Sequence, residues 1–125
     1  MPVKRVAVLG ASNKKGNYSN RAVCMLKEHG YEVIPVHPTL DDVEGLAVVH
    51  DLCGLKDPVD TLTVYVGPER SEKLADEIVA MRPGRVILNP GAECAALEKR
   101  LCDSGIPVVK ACTLVLLRTG RFEAR

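Results

Sequence analysis

The stretch VAVLGASNKKGNYSNRAV, Val6 to Val23, starts as an apolar run, turns at one glycine, passes two adjacent lysines and enters a helical pattern. A buried strand, a glycine turn and a helix are how a nucleotide-binding βα unit begins. The rest of the chain repeats the alternation. Apolar runs recur at Val6–Leu9, Val33–Val36, Leu62–Val66, Val86–Leu88 and Pro107–Val109, rich in valine and isoleucine and without polar alternation. Strands buried on both faces read this way. Helical faces fall between them: Ala22, Val23 and Leu26 before Gly30; Leu74, Ala75, Ile78 and Val79, with Glu69 and Glu72 favouring the start; Cys94, Leu97 and Leu101 before Gly105 and Pro107. The expected fold is α/β, a single-domain Rossmann-like, doubly wound, mostly parallel sheet with helices on both faces, over residues 1–125. Within Leu40–Asp60, Ala47–Val49 reads as a short edge strand and the rest as a connection. The Cys112–Leu117 run is open between strand and helix. Arg118 to Arg125 reads as a polar tail.

Composition narrows the function. The 125 residues suit one domain, with 46% hydrophobic and 26% charged side chains. A net charge of +1 draws the chain to neither nucleic acid nor membrane, and 3% aromatic residues argue against a base-stacking platform. No apolar stretch approaches the roughly 20 residues of a membrane span. The N-terminal MPVKRVAVLG does not read as a signal peptide, so a cytoplasmic protein is expected. The five cysteines, Cys24, Cys53, Cys94, Cys102 and Cys112, form no CxxC pair and are expected as free, mostly buried thiols. His29, His37 and His50 lack ligand spacing, so no metal site is expected.

Ligands of a doubly wound sheet bind at the carboxyl ends of its strands, where the strand order reverses. The first such loop, Gly10 to Asn20, is neither a Walker A loop, since Asn17 follows Gly16 where lysine is needed, nor a GxGxxG fingerprint, since Ala11 and Ser12 follow Gly10. It still offers donors at Ser12, Asn17 and Ser19, charge at Lys14 and Lys15, and a helix start for an anion. The second strand ends in His37–Pro38, where an NAD-binding protein usually carries Asp or Glu; Asp41 and Asp42 come too late to replace it. That favours a ribose bearing an extra phosphate, with Lys14 or Lys15 as its cation. Val66, Gly67 and Pro68 end the third central strand with little bulk, suiting adenine or a pantetheine chain. Asn89, Pro90 and Gly91 end the fourth.

The GAS triplet at Gly10–Ser12, Tyr18, the segment Gly30–Pro38, Gly45, Val59–Asp60, Val66–Pro68, Gly91, and Gly105–Val109 followed by Cys112 together resemble the small single-domain CoA-binding proteins. These look like the CoA-binding domain of the succinyl-CoA synthetase α subunit. The resemblance covers nearly the whole chain. It implies that coenzyme A or an acyl-CoA lies at the carboxyl edge. The loop Gly10, Ala11, Ser12, Asn13, Lys14, Lys15, Asn17, Tyr18 and Ser19 would hold the phosphates. His37 and Pro38 would stand by the adenosine, with Val66–Pro68 and Asn89–Gly91 along the rest. His37 departs from the asparagine that relatives usually carry before the proline.

The synthetase subunit also has a second domain with a phosphorylated histidine. This chain is expected to lack it, and it shows no nucleophile–base pair, so the resemblance implies binding rather than turnover. The leading expectation is a non-catalytic binding protein acting as carrier, sensor or detached subunit, with no nucleic acid or membrane partner. A subunit of an acyl-CoA ligase, completed by a partner chain, is the second reading, and an NAD(P)-binding protein the third. A homo-oligomer or protein partner fits any of these. Cys112, just past the last strand, reads as a small packed residue in preference to a thiol facing that of CoA.

Overall fold

The computed structural model describes residues 4–55 and 57–123. Each of the five apolar runs forms a strand of one sheet: β1 (Arg5–Leu9), β2 (Glu32–Val36), β5 (Thr61–Val64), β6 (Arg85–Leu88) and β7 (Val108–Lys110). They are parallel throughout, in the order β2-β1-β5-β6-β7. The register sets Leu9 beside both Val36 and Val64, so three carboxyl ends finish level. The order reverses at β1, which places the crevice of this doubly wound fold between the ends of β1 and β5.

Continuous apolar runs are explained by two cores. Ala7, Leu9, Leu62, Val64, Val86 and Leu88 face one way, against α3 (Ala75–Met81) and α4 (Ala95–Asp103). Val6, Val8, Val33 and Ile87 point the other way, against α1 (Tyr18–Glu28) and α5 (Thr113–Arg118). Because the pleat alternates, a strand covered on both faces needs apolar residues at every position. Where β5 carries Thr61 and Thr63 instead, both are buried and bonded. Arg85 Nε donates to Thr61 Oγ1 at 2.9 Å, and Thr63 Oγ1 meets Thr113 Oγ1 at 2.7 Å. Helix α1 closes as expected at Gly30, with the Tyr31 N–H reaching back to Leu26 O at 3.1 Å.

Four expectations need correction or completion. The second helix is two: α2 (Pro68–Lys73) and α3, divided at Leu74, whose N–H bonds Ser71 O in a tight turn while its own carbonyl accepts from Ile78. The open run after Cys112 is helical. Asn89 Oδ1 accepts the Thr113 N–H at 2.8 Å, and Leu114 and Leu117, three apart, are buried. The C-terminal segment is not simply polar. Phe122 is buried, its ring 5.1 Å from that of Tyr31, with the Arg85 guanidinium over the Phe122 ring at 4.5 Å. In the uncertain middle segment, a hairpin of β3 (Asp42–Val43) and β4 (Leu46–Ala47) precedes Val49, which alone pairs with Val36 in parallel along the outer edge of β2. The Val49 N–H donates to Pro35 O at 2.9 Å, and the Val49 carbonyl accepts the His37 N–H at 3.1 Å. Residues Ala124 and Arg125 of the tail lie outside the described residues.

The free thiols are less buried than expected. Only Cys94 is buried; Cys24 and Cys112 are intermediate, and Cys53 and Cys102 are exposed. Among the described residues no helix is long and apolar enough to cross a membrane, and no cluster of His, Cys, Asp and Glu is arranged to hold a metal ion.

Candidate functional site

The site is built around Gly10. A Cβ there would stand 2.9 Å from Val66 Cγ1 and 3.3 Å from Val66 N, and the backbone has φ +88. Both facts require glycine: the end of β5 comes too close for a methyl group, and L-residues seldom hold that φ. The N–H groups of Gly10 and Ala11 both point at Val36 O, at 3.1 and 3.2 Å, tying the turn to the end of β2.

Beyond Ala11 the loop is supported by its own polar groups. Ser12 Oγ accepts the Lys14 N–H at 3.1 Å, and Ser12 O accepts Asn20 Nδ2 at 2.9 Å. Asn17 caps α1, its Oδ1 accepting from Ser19 N at 3.0 Å and Ser19 Oγ at 2.8 Å. Asn13, Lys14, Lys15 and Tyr18 are exposed, and the Tyr18 ring lies 5.9 Å from the Arg21 guanidinium.

The loop is also strapped from the side by a residue that sequence reasoning missed. Glu44 and Gly45 form the two-residue turn between β3 and β4, at φ 50 and 80, the signature of a type I′ hairpin turn. The Glu44 carboxylate accepts from Asn20 Nδ2 at 3.1 Å and Cys24 Sγ at 3.5 Å, and Lys15 Nζ approaches to 3.4 Å. Its carbonyl accepts from Lys27 Nζ at 2.7 Å. The Asn20 hydrogen bond, then that of Cys24, holds the Glu44 carboxyl below its usual range. Burial and the same carboxylate push the Cys24 thiol up. The Val-Glu-Gly-Leu pattern carried the turn signal, but its docking on α1 is a long-range contact.

A cleft of about 350 Å³ opens where β1, β2 and β5 end. Of the residues expected at the site, Gly10, His37, Pro38 and Val66 line it. His37 Nδ1 accepts the backbone N–H groups of Thr39 and Leu40, both at 3.1 Å. An acceptor at Nδ1 leaves the proton on Nε2, so the free side of the ring is a donor. The strand ends Leu9 and Val36 line it too, and His50, Asp51, Leu52, Arg70, Lys73 and Leu74, which were not foreseen, make up the rest. His50 is brought there by the Val49–Val36 bridge, with its Nε2 3.0 Å from Leu40 O and 3.2 Å from Asp41 Oδ1. Asp51 Oδ1 accepts the Gly54 N–H at 3.0 Å.

The remaining expected residues stand apart from the cleft. Gly67 and Pro68 form the cap and first residue of α2. Asn89 is buried with its side chain fully used: Nδ2 donates to Thr63 Oγ1 at 2.7 Å and Val64 O at 2.9 Å, while Oδ1 holds Thr113. Pro90 and Gly91 are exposed, and the Gly91 N–H donates to Glu93 Oε1 at 2.9 Å. Cys112 sits at the cap of α5 and does not line the cleft. The arrangement offers an apolar floor, one free imidazole donor at His37 and the cations of Arg70 and Lys73.

Residues 4–118 match the family described as CoA binding domain. The chain belongs to that CoA-binding domain family. The domain is 36% identical to a Thermus thermophilus protein of known structure, with a TM-score of 0.87 over 96% of this chain and 91% of that one. It is 33% identical over 76 residues to the uncharacterised protein YneT of Bacillus subtilis. That match covers 61% of this chain and only 56% of the relative's length. The fold also recurs inside a longer enzyme, acetyl-coenzyme A synthetase 1 of Ca. Korarchaeum cryptofilum, solved with phosphate and ADP. There the TM-score is 0.73 at 22% identity, over 86% of this CoA-binding domain and 25% of the synthetase.

Proposed function

We propose that this protein binds coenzyme A or an acyl-CoA at the carboxyl edge of its sheet, as a non-catalytic carrier, sensor or detached subunit. One observation carries the reading. The apolar cleft lies at the point where strand order reverses, and Gly10 is pinned between β2 and β5 at its base. The family adds the ligand class. The adenosine end enters the cleft, with the ribose beside His37 Nε2 and Pro38. The diphosphate meets the loop from Ala11 to Ser19, where α1 offers free N–H groups and Lys14 its charge. The pantetheine chain runs past Val66–Pro68 toward Pro90 and Gly91. Asn89 serves there through its backbone, because its side chain is already spent.

A second reading follows from the synthetase likeness: the domain is the CoA-binding part of an acyl-CoA ligase completed by a partner chain. Calorimetric titration of the purified protein with CoA, 3′-dephospho-CoA and NAD tests the first reading, with CoA expected to bind most tightly. Preference for NAD, or no binding, overturns it. Recovery of a stoichiometric ligase-like partner from native lysate supports the second.

A further inference from the structure

The cleft carries charge that the first loop does not supply. Arg70 and Lys73 stand one turn apart on α2, and both line the cleft. Among the described residues neither side chain has an ion pair or hydrogen bond, whereas Lys15 is engaged by Glu44 and Arg100 by Asp76. His37 and His50 line the same cleft. Asp51 is the one carboxylate in the lining, against two full positive charges, and its Oδ1 is engaged by the Gly54 N–H. An apolar wall strengthens the pull of such a pair on an incoming anion.

We propose that Arg70 and Lys73 form the specificity pair that reads the ribose 3′-phosphate of coenzyme A. The inference rests on the coenzyme A reading of the cleft. Coenzyme A presents two anionic centres, its diphosphate and its 3′-phosphate. The loop before α1 addresses the first. The second hangs from a ribose seated at the end of β2, inside the cleft, where neither Lys14 nor Lys15 is part of the lining. Arg70 supplies the planar fork that matches a phosphate in two hydrogen bonds, and Lys73 supplies a point charge beside it. The same pair disfavours NAD, whose ribose hydroxyls bring no charge to meet two cations.

The test is a ligand-by-variant titration. Wild type, the Arg70→Ala/Lys73→Ala variant and the Lys14→Ala/Lys15→Ala variant are each titrated with CoA and with 3′-dephospho-CoA. Thermal melts confirm that all three are folded. Wild type is expected to prefer CoA by about tenfold or more, the scale of hydrogen bonds to a charged group. In R70A/K73A that preference should collapse to within about twofold, with the affinity for 3′-dephospho-CoA unchanged. In K14A/K15A both ligands should weaken together, leaving the preference intact. The proposal is overturned if R70A/K73A keeps the preference or loses both ligands equally. It is also overturned if wild type binds the two ligands alike, although the coenzyme A reading then survives. A wild type that binds neither overturns both.

Discussion

Replacing Gly10 with alanine would put a Cβ 2.9 Å from Val66 Cγ1 and force an L-residue to hold φ +88. Either fault alone costs about 1–3 kcal/mol, so G10A should lower stability by at least about 2 kcal/mol, read as a shift in urea midpoint. Asn89 makes a contrasting case. The N89A substitution strands the Thr113 N–H and removes both bonds to β5. A loss of about 2–4 kcal/mol is expected, together with fraying of α5 seen by hydrogen exchange at its first turn. Both residues stood out in the sequence as polar or small groups at strand ends. The role of Gly10 was legible because turn geometry is local. That of Asn89 was not, because its partners Thr63 and Thr113 lie 26 and 24 residues away. Arg70 and Lys73 were missed for a related reason: nothing local marks them, and only the placement of α2 after β5 brings them to the cleft.

The hairpin and the first loop act as one element through Glu44. Its carboxyl is held below the ordinary value near 4.5, so the stability it contributes is complete above that pH and is lost as pH falls through the lowered value. Wild type should therefore lose more stability between about pH 5 and pH 3 than Glu44→Gln, when urea midpoints of the two are compared across that range. The Lys14→Ala/Lys15→Ala variant should weaken coenzyme A by about 1–3 kcal/mol while its melting point barely moves, since both side chains are exposed. At this scale the strands and α1 were readable from apolar period and glycine stops. The division of the second helix at Leu74, and the helical state of the Cys112–Leu117 run, were not. Each depends on what the segment docks against: the cleft for Leu74, the Asn89 carbonyl for Thr113.

Across the whole molecule, the two ends of the strands do different work. The carboxyl edge holds the cleft, while the amino edge is closed by Phe122 with Tyr31 and Arg85. Phe122→Ala should cost about 3 kcal/mol of stability and leave coenzyme A affinity unchanged in titrations run well below the melting point. The alternation of runs and helices specified the parallel sheet and hence the edge at which to look for a ligand. It did not reveal the closing ring, because a single phenylalanine among charged residues has no period.

The Val49 bridge has a bearing on how copies of this chain behave in company. An open sheet invites strands from other molecules to pair along its borders. On the β2 border, Val49 already occupies the outward groups of Pro35 and His37, and Pro35 has no N–H to offer a newcomer. The opposite border, β7, is three residues long and ends in Lys110, which pairs with Glu98 at 3.4 Å. Crowding this protein to high concentration should therefore not drive sheet-to-sheet growth from the β2 side. Growth from the carboxyl half of β2 would require the Val49 segment to peel away first.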